Sequence, residues 1–171
     1  MPIPLTPIAH AAGRAFIAFV IAASAAFADD QEFRRGLSAF NRGAYAEALA
    51  DWAASANAGE ADSQAGLAFM YFKGMGVAQD RFRAAELYKS AAAKGQPEAQ
   101  MFLGAIYLYG EGLGRDLVQA YAWCEIAQAN GALGALGCRE AAERQMSTPE
   151  IDAALGLVSK WHREHQRPAA R

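Results

Sequence analysis

Leu103-Gly104-Ala105-Ile106-Tyr107-Leu108-Tyr109-Gly110-Glu111-Gly112-Leu113-Gly114-Arg115-Asp116 decides the fold, because the chain has said nearly the same thing once before. Thirty-six residues upstream, Leu67, Tyr71, Gly74, Gly76 and Asp80 stand where Leu103, Tyr107, Gly110, Gly112 and Asp116 stand here. The offset extends outward through Gly59, Gly95 and Gly131, through Ala48, Ala84 and Ala120, through Trp52, Tyr88 and Cys124, and through Gln64 and Gln100. So many coincidences at one period of this length predict a solenoid of helical pairs.

Each unit reads physically. From Pro97 to Tyr109, the residues Ala99, Leu103, Gly104 and Tyr107 share one helical face; Pro97 suits a first turn and Gly104 permits close helix approach. Gly110-Glu111-Gly112 supplies the positive φ of a helix cap and tight turn. Asp116 then caps a helix carrying Ala120, Cys124 and Ala127 inward until Gly131 ends it. The expectation is all-α, an α-solenoid of stacked antiparallel helix pairs, with helices near 31–42, 45–58, 61–72, 81–93, 97–109, 117–129, 132–145 and 149–165. For the last, Thr148 is a candidate cap, with Ser147 and Glu150 an alternative capping box.

Leu103-Gly104-x-x-Tyr107-x-x-Gly110-x-Gly112-Leu113-x-x-Asp116, followed by Ala120-x-x-Trp123-x-x-x-Ala127, resembles the Sel-1-like repeat, a relative of the tetratricopeptide repeat. Ala120-Tyr121-Ala122-Trp123 is similar to the form that closes the last full repeat of bacterial members. The resemblance covers residues 44–131, and 31–43 and 132–165 more loosely as caps. It implies a protein-binding adaptor. The units divide as 29–60, a capping or half repeat; 61–95 and 96–131, two full repeats; and 132–171, capping helices and tail. Beyond Gly131 the period demands Leu, Gly and Tyr where Arg139, Glu140 and Glu143 stand, as a polar cap on a soluble solenoid would have it.

The start of the chain carries another signal. Arg14 precedes the apolar run Ala15 to Phe27, and Ala26-Phe27-Ala28 meets Asp29-Asp30, which reads as a signal peptide of residues 1–28 cleaved after Ala28. The run is short for a membrane span, so no stable insertion is expected after cleavage. Together with the resemblance, this points to an exported, periplasmic protein of a Gram-negative bacterium. Cleavage leaves 15 basic residues (16 less Arg14) against 18 acidic, a net charge of −3, which disfavours nucleic acid as a partner. The basic tail of Lys160, Arg163, Arg167 and Arg171 reads as a solvated helix end.

No catalytic residues, cofactor site or metal site emerge. His162 and His165 are the only histidines after the leader; both lie in the last helix, leaving no imidazole base in the repeats and two ligands short of a zinc set. Some members of the resembled family carry β-lactam-hydrolysing names, yet Ser-x-x-Lys, Gly-x-Ser-x-Gly and His-Glu-x-x-His are all missing from the sequence. Cys124 and Cys138 each stand seven residues from Gly131, on opposite sides of an expected turn. In an exported protein a disulfide is favoured, with two buried thiols as the alternative.

If Ser63, Leu67, Ala68 and Tyr71 face inward, Asp62, Phe69 and Lys73 lie opposite, and the next repeat puts Glu98, Met101 and Tyr109 in the same phase. A concave groove of apolar anchors Phe69, Met101 and Tyr109, flanked by Asp62, Lys73 and Glu98, suits a segment of another protein. Against this stands ordinary core packing of Phe69 and Met101. Two other functions remain open: an accessory module of envelope or secretion machinery that binds by its edges, and a cell-wall or β-lactam hydrolase.

Overall fold

The computed structural model describes residues 31–165, and the expected signal peptide, with Arg167 and Arg171 of the basic tail, lies outside them. Eight helices follow in order: α1 over residues 31–41, α2 Tyr45–Ala58, α3 Ala61–Lys73, α4 Arg81–Ala93, α5 Pro97–Tyr109, α6 Leu117–Ala129, α7 Ala135–Glu143 and α8 Thr148–His165. There is no strand among the described residues. The expected all-α solenoid is what forms.

The repeat persists because the same contacts recur one unit apart. Asp80 and Asp116 accept the N–H of Arg83 and Gln119 at 2.9 and 3.0 Å, capping α4 and α6. The Gln79 side chain donates to the Phe72 carbonyl at 2.8 Å, and Arg115, its counterpart, donates to Leu108 at 3.1 Å. Both second glycines of the turn hold positive φ, Gly76 at 70° and Gly112 at 91°. A side chain there would also strike the start of the helix one repeat back, at Tyr45 and at the Arg81 carbonyl respectively. Conformation and close approach therefore both demand glycine.

Alanine makes the packing tight. Ala68, Ala85, Ala91, Ala92 and Ala99 are fully enclosed around Tyr88, Leu103 and Ile106 in the layer between α3 and α5. A second layer holds Ala39, Trp52, Leu67 and Met70 towards α1; a third joins Leu108, Tyr121 and Ile126 to Ala154 and Val158 of α8.

The C-terminal end departs from regular pairing. α7 starts at Ala135 rather than at 132, because Gly131 and Gly134, at φ 86° and 82°, spend the intervening residues on a turn. α7 and α8 both pack on α6, instead of forming a fourth hairpin chiefly with each other. The start of α8 is settled by the Ser147/Glu150 pair: the Glu150 carboxylate accepts both the Ser147 N–H and its hydroxyl at 2.7 Å. Thr148 is the first helical residue, and Pro149 occupies the first turn. Arg139, at a position where the period asks for leucine, lies between Glu125 at 3.6 Å and Glu143 at 3.8 Å, with its guanidinium over Tyr121. The cap is thus polar but half-buried at this point.

Candidate functional site

The first helices of successive units, α1, α3 and α5, line up their Phe40, Phe69 and Phe102 rings at 6.0 Å centroid spacing. Behind this row stand two aromatics from the second helices. Trp52 of α2 lies 5.5 Å from Phe40, and Tyr88 of α4 stacks on Phe102 at 5.0 Å. Trp52 is seated by two glycines, since a Cβ on Gly36 or Gly66 would run into its indole. Its indole N–H donates to the Phe33 carbonyl at 3.2 Å, tying α1 to the repeats.

These rings floor a cleft of about 420 Å³. Leu37, 40% exposed, and Asn41 form its α1 side; Asp62, Gln96 and Glu98 form the side nearest the starts of α3 and α5. The Gln96 amide donates to Asp62 at 3.2 Å and to Glu98 at 2.7 Å, while its carbonyl oxygen caps α5 at Ala99. Tyr88 contributes an anomaly: its hydroxyl is buried without a hydrogen-bond partner, and burial pushes the phenol's pKa far above its ordinary value.

Of the residues expected to bind a partner, Phe69, Asp62 and Glu98 line this cleft. Lys73 lies near it, its ammonium 6.0 Å from the Phe69 ring and 5.5 Å from that of Phe72. Met101 is elsewhere: it packs against Ala127, Ala132 and Ala135. Tyr109 is 67% exposed but does not line the cleft. The expected face is therefore split: Phe69, Asp62 and Glu98 reach the cleft, Met101 turns towards α6 and α7, and Tyr109 stays exposed.

The repeat pattern placed Trp52 and a helix near 31–42 but gave no sign that Trp52, Phe102 or the residues of α1 line a cleft. The position equivalent to Phe102 is Gly66, so no offset flags it; Phe33, Leu37 and Phe40 precede the first matched pair.

The other candidates fall into place around this. Cys124 and Cys138 have their Cα atoms 5.9 Å apart, a disulfide-capable pair bridging α6 and α7. The His165 ring stacks on Trp161 at 4.0 Å, and its two nitrogens lie 2.9 Å from the carbonyls of Trp161 and Ala93. His165 thus fastens the end of α8 to the end of α4 and does not converge with His162 on a common ligand. No group of three or more His, Cys, Asp or Glu fit to hold a metal exists among the described residues, nor does any helix there long and apolar enough to cross a membrane.

Residues 61–96 and 97–131 each match the Sel1 repeat. The chain carries two Sel1 repeats. A protective antigen of uropathogenic Escherichia coli strains, displaying an SLR fold, superimposes with a TM-score of 0.75 at 25% identity, over 84% of this chain and 34% of that one. A Sel1 repeat protein from Oxalobacter formigenes gives a TM-score of 0.63 at 23% identity, over 86% and 60%. This Sel1-like chain thus spans about a third of the first and three-fifths of the second. No curated protein matches it. Sel1 repeat proteins are in general scaffolds for protein interaction.

Proposed function

We propose that this Sel1-like protein is an exported, non-enzymatic adaptor that holds a segment of another protein in the cleft between α1, α3 and α5. The observation that carries the reading is the row Phe40, Phe69 and Phe102, open to a cleft of about 420 Å³ and bordered by polar side chains. An apolar floor with a polar border is the usual anatomy of a peptide anchor site. The leader of residues 1–28 supports placement in the periplasm, where the Cys124–Cys138 pair can close as a disulfide. Against hydrolysis, the Ser55 and Ser63 hydroxyls are fully enclosed and neither has a partner to activate it.

Phe82 at 75% exposure and Leu133 at 89%, both away from the cleft, favour a second reading in which partners are gripped by the edges. Crosslinking in intact cells, comparing wild type with a folded Phe69→Ala/Phe102→Ala variant, separates the two. Loss of one dominant partner in the variant supports the cleft. Retention of that partner moves the interface to an edge, and recovery of none sinks the adaptor reading.

A further inference from the structure

We infer that the occupant of the cleft is a cationic amphipathic segment, with apolar side chains on the Phe40–Phe69–Phe102 row and a lysine or arginine held by Asp62 and Glu98. This rests on the cleft reading above and gives its partner a chemistry. Among the described residues, the charged groups lining the cleft are Asp62 and Glu98, both carboxylates. They sit in the first turns of α3 and α5, where the helix dipole favours an acid whatever it faces. Their placement is what matters: the Gln96 amide bridges them and orients both at the mouth of an aromatic floor.

A cation entering there meets two carboxylates and adjoining ring faces, both of which attract it. An acidic side chain meets repulsion instead. At the other end of α3, Lys73 stands over Phe69 just outside the cleft, so a cation at Asp62 and Glu98 and an acidic group towards Lys73 would set the direction in which a segment lies. Tyr88 adds an unused donor in the cleft wall, which a backbone carbonyl of the occupant can satisfy where Phe102 gives way.

The test is isothermal titration of the purified protein with short synthetic peptides that share spaced leucine and phenylalanine and differ only in carrying lysine, serine or glutamate between them. The lysine peptide is expected to bind about tenfold more tightly than the serine peptide, and the glutamate peptide more weakly still. Raising the salt concentration narrows the gap. In an Asp62→Asn/Glu98→Gln variant, whose fold is checked by its melting curve, the lysine preference over serine falls to about twofold or less. Equal affinity for the lysine and glutamate peptides overturns the inference and leaves the cleft reading standing. Failure of every peptide to bind overturns both. Self-association of the protein that disappears in Phe69→Ala/Phe102→Ala assigns the cleft to a second copy of the chain and overturns the cationic occupant.

Discussion

Gln100 shows what single residues do in this architecture. It is fully buried, donates to the Ala92 carbonyl at 3.1 Å and accepts from the Asn130 amide at 2.8 Å, so one side chain clips the ends of α4 and α6 to α5. Gln64 repeats the device, donating to Ala56 at 3.1 Å and accepting from Ser90 and Lys94. Removing a buried partner exposes the cost of the polar groups left behind. Gln100→Ala is therefore expected to lower stability by about 2 kcal/mol, read from the urea midpoint at unchanged slope. Tyr88→Phe goes the other way: deleting a buried hydroxyl with no partner should raise stability by about 1 kcal/mol, and an unchanged or lower midpoint would show that the hydroxyl is satisfied after all. Glu150 offers a pH-dependent case. Acceptance of the Ser147 N–H, and then of its hydroxyl, holds the carboxyl below its ordinary pKa in the folded state. The folded form thus prefers the carboxylate, so this stabilisation is present above the unfolded pKa and is lost as pH falls through the folded one. Wild type should melt higher than Glu150→Gln at neutral pH, and the two melting curves should converge in acid.

At the scale of elements, small residues set the spacing. Gly104 on α5 lies against α6, where an added Cβ would strike Cys124 Sγ and come within 3.1 Å of the Ala120 carbonyl. The obstruction is backbone as well as side chain, so Gly104→Ala should force α5 and α6 apart and cost about 2 kcal/mol by overpacking, with the chemical melting curve as the measure. Such contacts explain why the fold was legible in the sequence. Leu103, Gly110, Gly112 and Asp116 each answer a local demand that recurs with the repeat, so the demand surfaces as an offset. The cleft was only half legible for the converse reason. Phe69 and its carboxylate neighbours lie on the repeat's outward phase and could be found, whereas Phe102 occupies a position where the previous unit needs Gly66 to make room for Trp52. Met101 misled because helical phase alone does not say which neighbour closes over a face; α6 and α7 do so there. The late start of α7 does not follow from Gly131 alone, because Gly134 shares the turn.

In the whole molecule, each unit is braced by its neighbours, so disturbances should stay local. The Cys124–Cys138 pair tests this. It spans 14 residues of sequence and joins α6, the last helix of the regular array, to α7, which is short and buries only Ala135 and Ala142. A bridge closing a loop of that length contributes about 3 kcal/mol in the chain-entropy account. That contribution acts on α7 rather than on the distant end, where α2 and α3 are held by Trp52, Leu67 and Met70. Protein isolated under oxidising conditions should therefore resist thiol alkylation until reduced. On reduction, hydrogen exchange should accelerate across residues 124–143 while the amides of α2 and α3 keep their protection. His165 complicates the boundary, because it fastens the end of α8 to the Ala93 carbonyl and so gives the cap a second anchorage on α4. If exchange rises equally in every helix after reduction, the solenoid unfolds as one cooperative block and the cap governs its stability. If it rises only at α6 and α7, the cap can loosen while the cleft keeps its shape, and partner binding at Phe69 should be indifferent to the redox state of the bridge.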